Sequence, residues 1–273
     1  MSVREYKSCA RNRNIAFPLI LLVGVVFLCC TPSAQATLFD WNQSYGTWTA
    51  GAPAIGTSVS QSYDNDPANP GNDITITIAN LNTSSDNFQW NGGHPKVDNM
   101  LTGGVSNSNL SLNLADDKGN AHGIQVTIQF NYTGGVNNVS FQLFGVDAHT
   151  GSYVDQISQI TALTTTGATI GATSVTGSID NQVTGSGTSF LVTGTATSAN
   201  NSANGNATIN FGSSYVTSVT FTYTNNVPSG AQNIALGNIS YTPTPEVGSS
   251  LAAMGLCGAI IGFRELLKRR RWV

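Results

Sequence analysis

A run of carboxylate and amide side chains is the part of this sequence best suited to bind a metal. It reads DNDPANPGND from Asp64 to Asp73. Ca²⁺ takes about six to eight oxygen ligands from carboxylates, amides and carbonyls, often from one tight loop. Asp64, Asp66, Asn69 and Asp73 can supply several of these, which makes calcium the candidate cofactor. A plain polar turn is the alternative, because Asp, Asn, Pro and Gly favour turns and the loop lacks the bidentate Glu of an EF-hand.

The rest of the middle region shows no set of residues spaced for catalysis. His94, His122 and His149 are far apart, without the spacing that brings two imidazoles to one metal. No Gly-x-Ser-x-Gly elbow occurs, and residues 37–245 contain no glutamate. Asp147 and Asp155 flank a Gly-containing loop and form a second, weaker candidate for calcium. We therefore expect a protein that is not an enzyme.

Aromatic residues near the start of the middle region suggest a sugar platform. Trp41, Trp48 and Trp90, with Tyr45, offer rings that can stack on a pyranose. In a β-sandwich such rings also serve as core, so both interpretations stay open.

The sequence predicts that the secondary-structure elements that position these candidate residues are β-strands. Ile74, Ile76 and Ile78 alternate with threonine, and turn clusters such as Thr133-Gly134-Gly135 separate the runs. The other period-two runs lie at 110–114, 124–130, 139–143 and 219–223. Faces that are apolar on one side fit antiparallel strands packed as two sheets. The pattern predicts an all-β fold, an antiparallel, jelly-roll-like β-sandwich over residues 37–242.

The stretch from Thr164 to Asn206 has few large apolar residues. It forms either short edge strands or a long flexible insertion. We favour short strands, because Val175 and the run Phe190-Leu191-Val192 offer anchors.

Charge excludes one class of partner. Residues 37–245 carry eleven aspartates and only two lysines, with no arginine. Phosphate backbones are bound through Lys and Arg, so no nucleic acid is expected as a partner.

The first 36 residues have the pattern of a secretory signal peptide. A basic start precedes the apolar run Ile15–Leu28, and Ala34-Gln35-Ala36 is a small-x-small cleavage site. Cleavage after Ala36 removes three of the four cysteines, leaving an exported domain without disulfides.

Residues 243–273 have the pattern of a membrane-inserted tail. Val247–Phe263 is uncharged, and its 17 residues extend roughly 25 Å as a helix, slightly less than a bilayer core. The basic residues that follow should stop transfer on the cytoplasmic side. They are Arg264, Lys268, Arg269, Arg270 and Arg271. Pro243 and Pro245 should end the last strand near Tyr241 and leave an exposed spacer.

This tail resembles the PEP-CTERM sorting tails of Gram-negative bacteria. The resemblance rests on Pro245-Glu246, the short Gly-containing apolar segment and the terminal arginine run. Val247 stands where the second proline of the motif would be, so the tail is a variant. The resemblance implies an exosortase-type processing enzyme and the membrane as partners. It also implies a place in the cell envelope or extracellular matrix.

A second resemblance concerns the middle region. Asn138–Asp147, followed by Tyr153–Gln156, is similar to exported β-sandwich modules found ahead of such anchors. This resemblance implies fold and location, and no activity.

Together these features predict a non-catalytic exported protein anchored or sorted by its tail. The alternative is a binding module for carbohydrate or calcium-dependent adhesion, with extracellular polysaccharide as the partner. A hydrolase is the third hypothesis.

Overall fold

A computed structural model describes residues 35–67, 69, 71–82, 93–116, 123–226 and 232–244. These residues contain sixteen strands and one short 3-10 turn, Gly187–Ser189. The first eight strands are β1 (Thr37–Phe39), β2 (Ser58–Tyr63), β3 (Ile74–Asn80), β4 (Lys96–Asp98), β5 (Ser111–Asp116), β6 (Ile124–Phe130), β7 (Val136–Phe144) and β8 (Ala148–His149). The next eight are β9 (Tyr153–Thr164), β10 (Thr169–Gly171), β11 (Ser174–Thr176), β12 (Asn181–Thr184), β13 (Leu191–Gly194), β14 (Ala207–Asn210), β15 (Val216–Asn225) and β16 (Gln232–Pro243).

The strands form two antiparallel layers. The first layer has the order β2-β3-β6-β15-β9-β13-β12, with β8 and β10 added to the two ends of β9. The second layer has the order β4-β5-β16-β7-β14-β11, and β1 pairs with β16 beside β5. One pairing, Val216 with Val136, joins the layers, so the sheet curls over its own core.

The core follows from the period of two. In β3, Ile74, Ile76 and Ile78 are fully buried, while Thr75 and Thr77 face outward and are half-buried. Burying each such isoleucine contributes about 1.5–3 kcal/mol before the cost of chain ordering. The inward residues of both layers merge into one apolar cluster, and Leu101, Phe144 and Ala235 form a second, smaller one.

The beginning of the domain is fixed by aromatic packing. The Phe39 and Trp41 rings meet edge to face at 4.8 Å, and Tyr63 packs 5.0 Å from Phe39. The Trp41 indole N–H donates to the carbonyl of Gly237 at 3.0 Å. Phe39 and Trp41, within five residues of the predicted cleavage site, are therefore part of the core.

The predicted antiparallel all-β sandwich is confirmed. The stretch 164–206 forms short strands, as we favoured, with Val192 fully buried. The predicted end of the last strand near Tyr241 was wrong, because β16 continues to Pro243, which pairs with Val136. The strand tolerates this proline because β1 pairs with β16 only as far as Tyr241, so no partner strand needs the missing N–H.

In the described part of the chain, no helix is long and apolar enough to cross a membrane. The apolar segment Val247–Phe263 lies outside the described residues.

Candidate functional site

The loop from Asp64 to Asp73 is organised around one buried carboxylate. Asp73 is fully buried, and its Oδ2 accepts the backbone N–H groups of Asn65 at 2.8 Å and Asp66 at 2.6 Å. Its Oδ1 accepts the side-chain amide of Asn69 at 2.6 Å. This is how an aspartate shapes a turn, by replacing backbone acceptors. The calcium site predicted at Asp64, Asp66, Asn69 and Asp73 stays a prediction. The hydrogen bonds to Asp73 are those expected for the alternative, a polar turn.

Asp147 and Asp155 form a buried cluster at one end of the sandwich. Asp155 is fully buried, and its Oδ1 accepts the hydroxyl of Tyr223 at 2.8 Å. Its Oδ2 accepts the amide of Asp147 at 3.2 Å and the Nε2 of Gln232 at 3.3 Å. Gln232 also donates to Asp147 Oδ1 at 2.8 Å, and the amide of Ser198 donates to Asp147 Oδ2 at 2.6 Å. All four carboxylate oxygens are thus engaged by protein donors.

Burial dominates the electrostatics of this cluster. It raises the pKa of Asp155 well above its usual range, against the opposing effect of the Tyr223 hydrogen bond. It also raises the pKa of Asp147, against the hydrogen bonds from Ser198 and Gln232. Carboxyls without a compensating cation favour the protonated form when desolvated. The cluster therefore ties β9, β15 and β16 together and offers no open oxygen to a substrate.

Among the residues that the structure describes, no three His, Cys, Asp or Glu side chains come together as metal ligands. His94 is buried, whereas His149 is exposed at the end of β8. His122 lies outside the described residues.

The clearest candidate site is an open groove of about 320 Å³ on the outer face of the second layer. Its floor comes from three neighbouring strands, β14, β7 and β16. Asn210, Ser140 and Ser240 are register partners, and Thr208 faces Gln142 in the next row. The Gln142 amide donates to the Thr208 hydroxyl at 3.2 Å, which orients it.

Several polar groups of the floor are open to a ligand. Within the described residues, nothing hydrogen-bonds to the hydroxyls of Ser140 and Ser240 or to the amide oxygen of Gln142. Asn238 is different, because its oxygen accepts the amide of Trp41 at 3.1 Å and its NH₂ donates to Asp40 at 3.0 Å. The groove therefore offers donors and acceptors in fixed positions, with no charged side chain in its lining.

The loop between β4 and β5 forms the groove wall. Val105 at its tip is 65% exposed and lines the groove together with Asn109. The loop is held by the Thr102 amide donating to the Asn200 carbonyl at 3.1 Å. Gly103 has φ +59°, and a Cβ there would lie 2.3 Å from the Phe144 ring, so only glycine permits this packing. The wall is held by these contacts and presents the apolar side chain of Val105 to solvent.

The structure confirms the core interpretation, and not the sugar platform, for Trp41. That ring is fully buried, and Tyr45 and Trp48 are partly buried against the core. The indole N–H of Trp48 donates to the carbonyl of Gly51 at 2.8 Å. Trp90 lies outside the described residues.

The sorting and export residues are not placed by the structure. Ala34 of the cleavage site, the motif Pro245-Glu246 and the basic residues from Arg264 to Arg271 lie outside the described residues. Ala36 lies inside them, directly before β1. Thr244 is still attached to the sandwich, because its backbone amide donates to the Gly135 carbonyl at 3.1 Å. The exposed spacer therefore does not begin at Pro243, which is half-buried within β16.

Fold and site define this chain as an antiparallel β-sandwich with an uncharged groove on one outer face. No protein-family model and no curated protein matches it.

Some solved structures match it weakly. The family 11 carbohydrate-binding module of the cellulosomal cellulase Lic26A-Cel5E of Clostridium thermocellum is 10% identical, with a TM-score of 0.32, over 78% of this chain and 97% of that one. The K1 cleaved adhesin domain of Lys-gingipain from Porphyromonas gingivalis W83 is 14% identical, with a TM-score of 0.30, over 69% and 99%. The xyloglucanase domain of NopAA, a type three effector from Sinorhizobium fredii, is 13% identical, with a TM-score of 0.26, over 76% and 99%. Likeness at this level defines neither a family nor a ligand for this chain.

Proposed function

We propose that this chain is an exported, non-catalytic protein of the cell envelope or extracellular matrix whose sandwich binds a neutral polysaccharide. The observation that carries the proposal is the groove of the second layer. Its open groups are the hydroxyls of Ser140 and Ser240 and the amide oxygen of Gln142. Binding sites are concave, with a few well-placed polar groups beside apolar surface, and the exposed Val105 side chain supplies that surface.

The ligand class follows from what the groove lacks. No lysine, arginine or carboxylate lines it, so a phosphate or uronate group would find no counter-charge. A neutral polymer of hydroxyl groups matches both the donors and the acceptors of the floor. An open groove on a sheet face also suits a polysaccharide better than a compact metabolite, because the polymer can extend beyond the groove at both of its ends.

The non-catalytic part rests on the carboxylates. Glycoside hydrolysis needs two carboxyl groups that face the scissile bond, one of them with a free oxygen for attack or for activating water. Among the described residues, Asp147 and Asp155 form a close carboxyl pair, and both are buried with every oxygen engaged. They serve as a structural cluster in this proposal.

Export and sorting rest on the chain ends. The pattern of residues 1–36 and the PEP-CTERM-like tail support passage across the membrane, retention there and processing by an exosortase-type enzyme. A place among envelope polysaccharides is consistent with a groove for neutral glycans.

Affinity electrophoresis of the detergent-solubilised full chain tests the binding. We expect at least one neutral polysaccharide to retard it, and anionic ones to have no effect. Gln142→Ala should weaken binding about fivefold, the value of one neutral hydrogen bond. The matched control is Gln129→Ala, an exposed glutamine on β6 in the opposite layer. Equal weakening by both variants, or no retardation by any neutral polymer, contradicts the proposal.

A further inference from the structure

A second cavity, of about 660 Å³, lies at the end of the sandwich, away from the groove residues. It opens between the β8–β9 turn and the segment that follows β13. Its lining includes His149, Thr150, Gly151, Val154, Thr195 and Thr197. The volume falls within the range of about 300–1,000 Å³ typical of small-molecule sites.

The walls of this cavity are tightly connected. The Ala148 amide donates to the Ala196 carbonyl at 3.0 Å, and the Ser198 amide donates to the Asp147 carboxylate at 2.6 Å. A Cβ on Gly194 would lie 2.0 Å from the Asp147 carbonyl oxygen, so only glycine allows β13 to approach so closely. A ligand would meet a preformed surface and would not have to order these segments.

Hydrogen bonding fixes the tautomer of His149. The Thr197 hydroxyl has one proton, which it donates to the Ala148 carbonyl at 2.9 Å. The contact of 3.1 Å between that hydroxyl and His149 Nδ1 must then have Nδ1–H as the donor. Neutral His149 therefore carries its lone pair on Nε2, which has no partner among the described residues. The ring stacks on Tyr153 at 6.2 Å and 30°, which limits its rotation.

We propose that this cavity is a second binding site, for a compact neutral ligand with several hydroxyl groups, the size of a single sugar unit. His149 Nε2 accepts a hydrogen bond from one ligand hydroxyl, and Thr150 and Thr195 supply further hydroxyl partners. The lining contains no carboxylate, lysine or arginine, so neither an anion nor a cation finds its complement there. The site stands independently of the groove, because the two share no lining residue.

Two substitutions at one position separate the proposed contact from a general effect. The amide of glutamine reaches the place of Nε2, whereas the amide of asparagine reaches only the place of Nδ1. His149→Gln should keep binding within about threefold, and His149→Asn should weaken it about fivefold or more, the value of one lost neutral hydrogen bond. Both variants should fold, because His149 is exposed.

The assay is saturation-transfer NMR on the full chain, with methyl glycosides of neutral hexoses as probes. Binding by at least one probe, weaker in His149→Asn than in His149→Gln, is the expected result. Gln129→Ala, the exposed control on β6, should leave this binding unchanged. The two His149 variants are also compared in a Gln142→Ala background, so that failure of the groove and failure of the cavity are distinguishable. The inference is overturned if no probe binds, if the two His149 variants behave alike, or if only Gln142→Ala weakens binding.

Discussion

Asp155→Asn provides a quantitative test of the buried carboxyl cluster. Because burial raises the pKa of Asp155 far above its usual value, the folded protein holds a proton that the unfolded chain has released above about pH 4. The unfolded state then binds fewer protons than the native state. The free energy of unfolding must fall as pH rises from about 4 toward the folded pKa, by up to about 1.4 kcal/mol per pH unit for one proton.

Asparagine has the shape of the protonated aspartic acid and does not titrate. Its oxygen can accept from Asp147 and Gln232 at the Oδ2 position. Its NH₂ can donate to the Tyr223 hydroxyl oxygen, as the Oδ1–H of protonated Asp155 would, so this hydrogen bond runs in the opposite direction from the one that the carboxylate accepts. The substitution should therefore reduce the pH slope by the part that Asp155 contributes, while keeping the fold.

Urea unfolding between pH 4 and 8 measures this slope. The matched control is Gln129→Ala, an exposed substitution on β6 that removes no carboxyl, and it should keep the wild-type slope. A wild-type stability that is flat or rising across this range would refute the reasoning. So would an Asp155→Asn variant with an unchanged slope.

Three further predictions concern the loop and the chain ends. Asp73→Ala leaves three hydrogen-bond donors without their acceptor and should lower the free energy of unfolding by about 3 kcal/mol, as measured by urea denaturation. A loss below about 1 kcal/mol, the value of a single hydrogen bond, would contradict the proposal that Asp73 organises this loop. Calcium bound by this loop only in the native state should add about 2.7 kcal/mol at one hundred times its Kd, and an unfolding midpoint unaffected by chelator identifies an ordinary turn. The exported protein should begin at Thr37 and, in a host with an exosortase, lose its tail near Pro245-Glu246. Intact-mass measurement decides this, and a tail that persists through Val273 contradicts processing.

The strands were predictable because the alternation of apolar and polar residues that defines them can be read from neighbouring positions in the sequence. Alternation of isoleucine and threonine in β3 specifies one buried face wherever the strand pairs. Between residues 164 and 206, the apolar anchors Val175 and Phe190-Leu191-Val192 favoured short strands, which the structure contains. The reasoning from sequence was less successful at the end of the last strand. It failed at Pro243, because whether a proline is tolerated depends on which neighbour needs its N–H, and β1 ends two residues earlier along β16.

The groove could not be predicted from local patterns. Ser140, Thr208 and Ser240 are separated by many residues and meet only through the register of β7 with β14 and β16. In the sequence they look like any other outward polar residues of strands. The carboxyl cluster was predictable only in part. The sequence indicated Asp147 and Asp155, which flank a Gly-containing loop, but not their hydrogen-bond partners Tyr223 and Gln232, which come from distant strands. For Trp41, core and surface both stayed open, because composition alone does not separate a core ring from a surface ring.

The central claim is that the groove of the second layer binds a neutral glycan. Chemical-shift mapping on residues 37–244, which contain the whole described core, tests it most directly. Titration with a neutral oligosaccharide from a polymer that retards the full chain should perturb the backbone amides of Ser140, Gln142 and Thr208 and the side-chain NH₂ of Gln142. The outward residues of β3 and β6 in the opposite layer should not move. Perturbations confined to that opposite layer, or absent from β7, β14 and β16, would contradict the account.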